Sequence, residues 1–201
     1  MVYSNVVERR CSNRFQGAYN SPARGHAQKG RRTGLEIQLV PVVEAEKEIL
    51  RNLLEKYDYE FSQYDQLDVN ALGLYGYRYL DHYWTEKNRW AFFAKVDSKL
   101  AGFAMVSDYP EVPEPTDYCL SEFFVLHKYR RQGIGRQIAT RVFSMFRGRW
   151  QLKRHPKNTR AAHFWDSVID EFTGGQYQLI EAYPGTEYND GTLGDVLLFD
   201  S

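Results

Sequence analysis

The chain has 201 residues, of which 43% are hydrophobic and 15% aromatic, and its 26 basic and 26 acidic residues give a formal net charge of zero. This composition is that of a globular domain with a sizeable core, and it excludes a disordered or low-complexity chain. Two cysteines, Cys11 and Cys119, are too few for a disulfide framework, and no apolar stretch has the length of a membrane span, so we expect a cytoplasmic protein.

Periodicity and turn residues divide most of the chain into alternating strands and helices. In chain order, the predicted elements are a strand at residues 35–40, a helix at 43–57, a short helix within 58–88, a hairpin with strands at 90–96 and 100–107, a strand at 118–126, a helix at 133–146, a strand at 149–154, a helix that opens at 156–159 and stops at 174–175, and strands at 177–183 and 195–200. This order predicts a mixed α/β domain built around one sheet.

Two of the helical patterns also predict which side chains are buried. The apolar face of the helix at 43–57 contains Ile49, Leu50, Leu53, Leu54 and Tyr57. The apolar face of the helix at 133–146 contains Ile138, Ala139, Val142, Met145 and Phe146.

Charge is distributed unevenly along this neutral chain. Between His127 and Arg160 there are eleven Lys or Arg residues and no Asp or Glu, whereas residues 161–201 hold eight acidic residues and no Lys or Arg. Such segregation is more typical of a site for two substrates than of a nucleic-acid-binding surface. Residues 1–34 are also basic and lack a sustained hydrophobic period, so we expect them to form a disordered tail before a folded domain at 35–201.

A glycine-containing turn lies inside the basic segment, where residues 122–136 read EFFVLHKYRRQGIGR. Gly133 and Gly135 follow an apolar strand and open a helix, so the free N–H groups of the first helical turn can bind an anion such as a phosphate. A dinucleotide-binding motif would need a small residue where Ile138 stands, and a P-loop would need Lys and Ser or Thr after Gly135. A plain turn that uses glycine for tightness remains an alternative.

With these residues in view, the chain resembles the GNAT superfamily of acetyl-CoA-dependent N-acetyltransferases. Arg130, Gly133 and Gly135 match its Arg/Gln-x-x-Gly-x-Gly/Ala motif. A second family motif, Asn-x-x-Ala-x-x-Phe-Tyr, is nearly matched by Asn158, Ala161, Phe164 and Trp165. The resemblance covers residues 35–201 and implies a mixed, mostly antiparallel sheet of six to seven strands. About four helices would flank this sheet, which would be splayed between its fourth and fifth strands.

The resemblance further implies acetyl-CoA as cosubstrate. No metal is expected, because the five His residues show no ligand pairing. The pyrophosphate would be bound in the motif that includes Arg130, by the backbone N–H groups of Arg131, Gln132, Gly133, Ile134, Gly135 and Arg136. The pantetheine arm would pair with the main chain of Phe123, Phe124 and Val125. Asn158 would hydrogen-bond that arm or brace the turn.

The chemistry requires a group that takes a proton from the amine acceptor. Glu122 is our candidate for this general base, although a solvated or salt-bridged strand residue is the alternative. Trp165 occupies the position of the family's usual tyrosine acid. An indole N–H can donate a hydrogen bond but cannot usefully give up a proton. Water, the ammonium proton or Tyr129 would then protonate the thiolate, and Trp165 could orient the sulfur or simply pack in the core.

The acceptor is expected to be a small cationic amine, because acidic and aromatic residues are concentrated in residues 58–88. The acidic candidates there are Asp58, Glu60, Asp65, Asp68 and Asp81. Three histidines, His127, His155 and His163, are expected on the basic surface or on a helix exterior.

Other functions and the oligomeric state stay open at this point. A catalytically silent CoA-binding regulatory domain is one alternative, motivated by Trp165. A nucleic-acid-binding protein that uses the basic segments is a less favoured alternative. A homodimer is compatible with either enzymatic or regulatory activity.

Overall fold

The computed structural model of the protein describes residues 35–201, so the tail predicted at residues 1–34 lies outside the described part of the chain. Seven strands and four α-helices occur in this part. The strands are β1 (Ile37–Pro41), β2 (Arg89–Val96), β3 (Lys99–Ser107), β4 (Tyr118–Val125), β5 (Arg149–Arg154), β6 (Tyr177–Ile180) and β7 (Asp195–Asp200). The helices are α1 (Lys47–Asp65), α2 (His82–Thr85), α3 (Ile134–Met145) and α4 (Thr159–Thr173).

The strands form one sheet in the order β1-β2-β3-β4-β5-β7-β6. Every neighbouring pair is antiparallel except β4 and β5, which run parallel. These two strands pair only at their first residues, Tyr118 with Trp150 and Cys119 with Gln151, and then separate. The predicted fold class is therefore confirmed, including the splay between the fourth and fifth strands.

Helices cover both faces of the sheet, and each face has its own apolar core. On one face, Leu50, Leu53 and Leu54 of α1 pack against Phe93 and Phe103 of the sheet. On the other face, side chains of α3 and α4 pack against β5 and β7; this core contains Val142, Phe143, Val168, Ile169, Trp150 and Leu197. No helix in residues 35–201 is both long and apolar enough to cross a membrane.

The β2–β3 hairpin confirms the prediction from the sequence. Its two-residue loop has positive φ at both positions, 47° at Asp97 and 64° at Ser98. Two such residues match the right-handed twist of the flanking strands, because each adopts the left-handed backbone conformation.

Helix α1 is longer than the predicted helix at 43–57, since it continues to Asp65 and ends at Gln66, which has φ of 59°. Two predicted core residues are also exposed. Ile49 is 41% exposed, at the margin of the α1 face, and Met145 is 38% exposed at the last residue of α3. Phe143 is fully buried in α3, because the period of 3.6 places it one turn from the buried Ala139 on the inner face.

Candidate active site

A cavity of about 650 Å³ opens where β4 and β5 separate. Its walls come from β4, β5, α1, the first turns of α4 and the loop before β7. The lining includes the predicted site residues Glu122, Phe123, Asn158 and Trp165. A second cavity, of about 500 Å³, lies beside Arg149 and Gly175 and contains none of the predicted site residues.

Glu122 is a partly buried carboxylate in the wall of the first cavity. Burial raises the pKa of its carboxyl from 4.5 to about 7; the hydroxyls of Tyr57 and Tyr77 lower this pKa, and the negative charge of Asp58 raises it. Burial also raises the pKa of both tyrosines, so they remain neutral hydrogen-bond donors. Within residues 35–201 no Lys, Arg or His forms an ion pair with Glu122.

One edge of β4 pairs with β3, and the other edge faces the gap between β4 and β5. Leu126 donates its N–H to Ala101 of β3 at 2.8 Å, and the Phe124 carbonyl oxygen lies against Gly102. Because backbone groups alternate along a strand, Phe123 and Val125 direct theirs to the gap. The Val125 carbonyl accepts a hydrogen bond there from Arg130 Nε at 2.6 Å.

The N-terminus of α3 is open to a ligand. Its N-cap, Gly133, has φ of 71° and no capping side chain, and Arg131 has φ of 60°. The N–H groups at the first positions of the helix have no intrahelical acceptor, since the first i to i−4 bond runs from Gln137 to Gly133 at 3.1 Å. Gly135 sits close to Phe164, whose ring would be 3.4 Å from an added Cβ.

Two arginines of the glycine-containing turn, Arg130 and Arg136, are held by protein contacts. Arg130 donates to Glu60 Oε2 at 2.7 Å as well as to Val125. Arg136 forms an ion pair with Glu171 and donates to Ser167 Oγ at 2.8 Å. Their side chains therefore shape the turn, whereas Arg131 and Gln132 are exposed.

Helix α4 contributes Asn158 and Trp165 to the cavity. Asn158 is its N-cap, and the Asn158 Oδ1 accepts the Ala161 N–H at 3.1 Å. Trp165 is buried, and its ring centroid lies 5.0 Å from that of Phe123 and 4.7 Å from that of Phe164. Tyr129, the alternative acid, is buried in a separate core cluster that also contains Ile134 and Ile138, and it does not line the cavity.

The acidic candidates of residues 58–88 separate into two groups. Asp58 and Asp65 line the cavity. Glu60 pairs with Arg130, Asp81 pairs with Lys47, and Asp68 is exposed outside the lining. Only part of the predicted acidic cluster therefore faces the candidate site.

His155 corrects a prediction, because it is only 1% exposed instead of lying on the basic surface. Its ring centroid lies 4.5 Å from that of Tyr188, its Nδ1 accepts the Lys157 N–H at 3.2 Å, and its Nε2 lies 3.4 Å from Asp190. The two ring nitrogens face Lys157 and Asp190, and the ring forms part of the cavity wall. His127 and His163 are exposed, as predicted. Within the described residues no group of three or more His, Cys, Asp or Glu could hold a metal ion.

Comparison with known proteins identifies the family. The model of the Acetyltransferase (GNAT) family matches residues 48–168, which is more than half of the chain. The chain belongs to the GNAT acetyltransferase family. It is an acyl-CoA-dependent N-acyltransferase by class, and the family uses acetyl-CoA. No curated protein matches the chain.

Solved GNAT structures share the fold at low sequence identity. An acetyltransferase from Thermus thermophilus is 16% identical with a TM-score of 0.59, and the match covers 82% of this chain and 97% of that one. Spermidine N-acetyltransferase from Vibrio cholerae, in complex with CoA and spermine, is 11% identical with a TM-score of 0.54 and coverages of 81% and 92%. Arabidopsis thaliana NAA60, in complex with a bisubstrate analogue, is 13% identical with a TM-score of 0.54 and coverages of 82% and 98%.

Several residues of this GNAT cavity were not assigned to the site from the sequence. Arg89, Tyr109, Glu111 and Tyr188 line it from β2, the loop before β4 and the loop before β7. Tyr188 lies more than a hundred positions from Phe61, yet their ring centroids are 5.6 Å apart. No local sequence signal identifies Tyr188 as a site residue, because only the tertiary fold brings the loop before β7 next to α1.

Proposed function

We propose that the protein transfers an acetyl group from acetyl-CoA directly to the primary amine of a small cationic molecule. The observation that carries the proposal is Glu122, a carboxylate with no cationic partner in the described residues, in the cavity between the splayed strands. Its pKa of about 7 suits a general base at neutral pH, because half of it is ionised there.

The open edge of β4 and the N-terminus of α3 support the binding of acetyl-CoA. Phe123 and Val125 offer main-chain groups to the pantetheine arm, and one of their N–H groups would polarise the thioester carbonyl. The first-turn N–H groups of α3 and the positive end of its dipole suit the pyrophosphate. Phe124 is engaged with β3, so we assign it to the sheet and restrict the predicted strand contacts to its two neighbours.

The acceptor half of the cavity favours a cation. Asp58 and Glu122 place negative charge there, and the rings of Tyr57, Tyr77 and Tyr188 line the same space. Aromatic faces attract an ammonium group, and an amine held beside carboxylates is positioned to lose its proton to one of them.

In the proposed reaction, Glu122 takes one proton from the ammonium group, directly or through one water. The neutral amine nitrogen attacks the thioester carbonyl carbon, the new C–N bond forms, and the C–S bond breaks. The CoA thiolate leaves and is protonated by the second proton that the amine nitrogen loses, with water as relay. Trp165 packs against Phe123 and confines the thioester without transferring a proton.

The test offers acetyl-CoA with a panel of primary amines and measures release of the CoA thiol. We expect transfer to cationic amines, and a loss of roughly 10²- to 10⁴-fold in kcat/KM for Glu122→Gln. Glu181→Gln is the matched control, because Glu181 is exposed and lies outside the cavity lining. Absence of both transfer and CoA binding by calorimetry would refute the proposal.

CoA binding without transfer to any amine would favour the catalytically silent regulatory domain instead. An unchanged rate in Glu122→Gln would keep the enzyme but remove Glu122 as its base. Tight, salt-sensitive binding to DNA or RNA would favour the nucleic-acid-binding alternative. A cytoplasmic location and a homodimer remain predictions.

A further inference from the structure

Asp58 differs from the other carboxylates of α1. This helix has five acidic residues, and four of them have partners: Glu48 binds Arg51, Glu55 accepts the N–H groups of Tyr75 and Gly76, Glu60 binds Arg130 and His127, and Asp65 accepts from Asn189 and from the Leu67 N–H. Asp58 has no hydrogen bond or ion pair within residues 35–201, although it is partly buried in the cavity wall.

The basic side chains that line the cavity cannot neutralise Asp58, because each already has an acidic partner. Arg89 binds Glu86 at 2.6 Å, Lys153 binds Glu111 at 2.8 Å, and Arg154 binds Asp166 at 2.5 Å. His155 lies beside Asp190. Asp58 and Glu122 are therefore left with no positive charge from the described residues.

Leaving two carboxylates unpaired in one cavity is energetically unfavourable. Burial raises the pKa of Asp58 to about 7, and the charges of Glu55 and Asp65 raise it as well. The charge of Asp58 in turn opposes ionisation of Glu122. A ligand that brings two positive charges would relieve this repulsion, whereas a monocation would relieve only part of it.

The remaining wall is aromatic and suits an alkyl chain between two cationic ends. Seven rings line the cavity in addition to Trp165 and His155: Tyr57, Phe61, Tyr77, Tyr79, Tyr109, Phe123 and Tyr188. Methylene groups pack on such rings, and ammonium groups are attracted to their faces.

We propose, building on the acetyl transfer proposed above, that the acceptor is a diamine or polyamine. One amine is acetylated beside Glu122, and a second, which stays charged, is bound by Asp58. Asp58 is thus a specificity-determining residue that selects for the second cationic group.

The experiment compares putrescine and cadaverine with butylamine and pentylamine, which have the same chain lengths but one amine each. A charged hydrogen bond to a partly buried carboxylate predicts that kcat/KM is roughly ten- to hundredfold higher for the diamines. We expect Asp58→Asn to lower kcat/KM for the diamines to the level of the monoamines, so that the preference for the second amine is lost. Asp68→Asn, at an exposed position outside the lining, is the control that should retain the preference.

Transfer to monoamines and diamines at equal rates would overturn the inference and leave the proposed acetyl transfer intact. If no amine is acetylated, the proposed function fails, and binding of cadaverine to the CoA-loaded protein is then measured by calorimetry. Weaker binding in Asp58→Asn than in wild type would still support the diamine site. Equal affinity in the two proteins would overturn it. Cooperative thermal unfolding of each variant verifies that it is folded.

Discussion

Replacement of Glu122 by glutamine should stabilise the protein at alkaline pH while it removes activity. The glutamine keeps the shape of the protonated acid but cannot ionise. The pKa of Glu122 is raised from 4.5 to about 7 in the folded state, so the folded protein holds the proton more tightly than the unfolded chain does. The stability that this proton contributes is fully present below pH 4.5 and is lost as pH rises to 7.

The magnitude follows from the two pKa values. About 1.4 kcal/mol corresponds to each tenfold change in the ionisation constant, so ionised Glu122 costs the folded state roughly 3 kcal/mol at pH 8. A small part of this cost is already present at pH 5. We therefore expect Glu122→Gln to gain roughly 2–3 kcal/mol in stability relative to wild type between pH 5 and pH 8.

Urea denaturation of both proteins at the two pH values measures this difference. Glu181→Gln serves as the control, since its exposed carboxylate should give the same difference from wild type at both pH values. A wild-type to Glu122→Gln difference that does not change with pH would refute the reasoning. It would mean that water or a rearranged side chain already solvates the Glu122 carboxylate.

Four further predictions test the site and its supports. First, kcat/KM should rise with pH through about 7 as Glu122 ionises, and a profile without this step would contradict its role as base. Second, Gly102→Ala should lower the free energy of unfolding by more than about 3 kcal/mol, because its Cβ would lie 1.9 Å from the Phe124 carbonyl oxygen. Gly133→Ala should lower it by only about 1 kcal/mol, because alanine disfavours the positive φ at this position. Thermal denaturation compares the two variants, and equal losses of stability would refute the distinction. Third, Arg130→Gln should lower the free energy of unfolding by about 1–3 kcal/mol, because it removes the hydrogen bonds to Glu60 and Val125. Urea denaturation measures this loss. Weaker CoA binding at unchanged stability would instead show that Arg130 contacts the ligand directly. Fourth, Trp165→Phe should keep kcat nearly unchanged, since the indole N–H transfers no proton, and a large fall in kcat would place that N–H at the reacting atoms.

Local patterns in the sequence were sufficient for the scaffold of the site. The strand at 149–154, the strand at 195–200 and the β2–β3 hairpin follow from alternation and turn residues, which act over a few neighbouring positions. The opening of α3 at Gly133 follows from a glycine that tolerates positive φ. Such features need no knowledge of distant contacts.

The cavity itself could be predicted only in part. Glu122 and Trp165 were found because they stand at fixed positions relative to local motifs. Asp58 was one of five acidic candidates, and nothing local distinguishes it from Glu60, which faces Arg130. His155 lies in a basic run that suggests a surface position, yet α1 and the loop with Tyr188 bury it. Partner choice and burial are properties of the tertiary structure.

The segregated basic segment is largely neutralised once the chain folds. Six of its eleven Lys and Arg residues form ion pairs with carboxylates, all of them outside the segment: Arg130 with Glu60, Arg136 with Glu171, Arg149 with Asp117, Lys153 with Glu111, Arg154 with Asp166 and Asp195, and Lys157 with Asp190. A nucleic-acid surface needs such side chains free for phosphates, so these pairs disfavour that function. Near the N-terminus of α3, Lys128 and Arg131 have no ion pair within residues 35–201, and backbone N–H groups supply the rest of the positive potential. The cavity holds two carboxylates that have no basic partner within residues 35–201, Asp58 and Glu122, and a cationic amine would supply that partner.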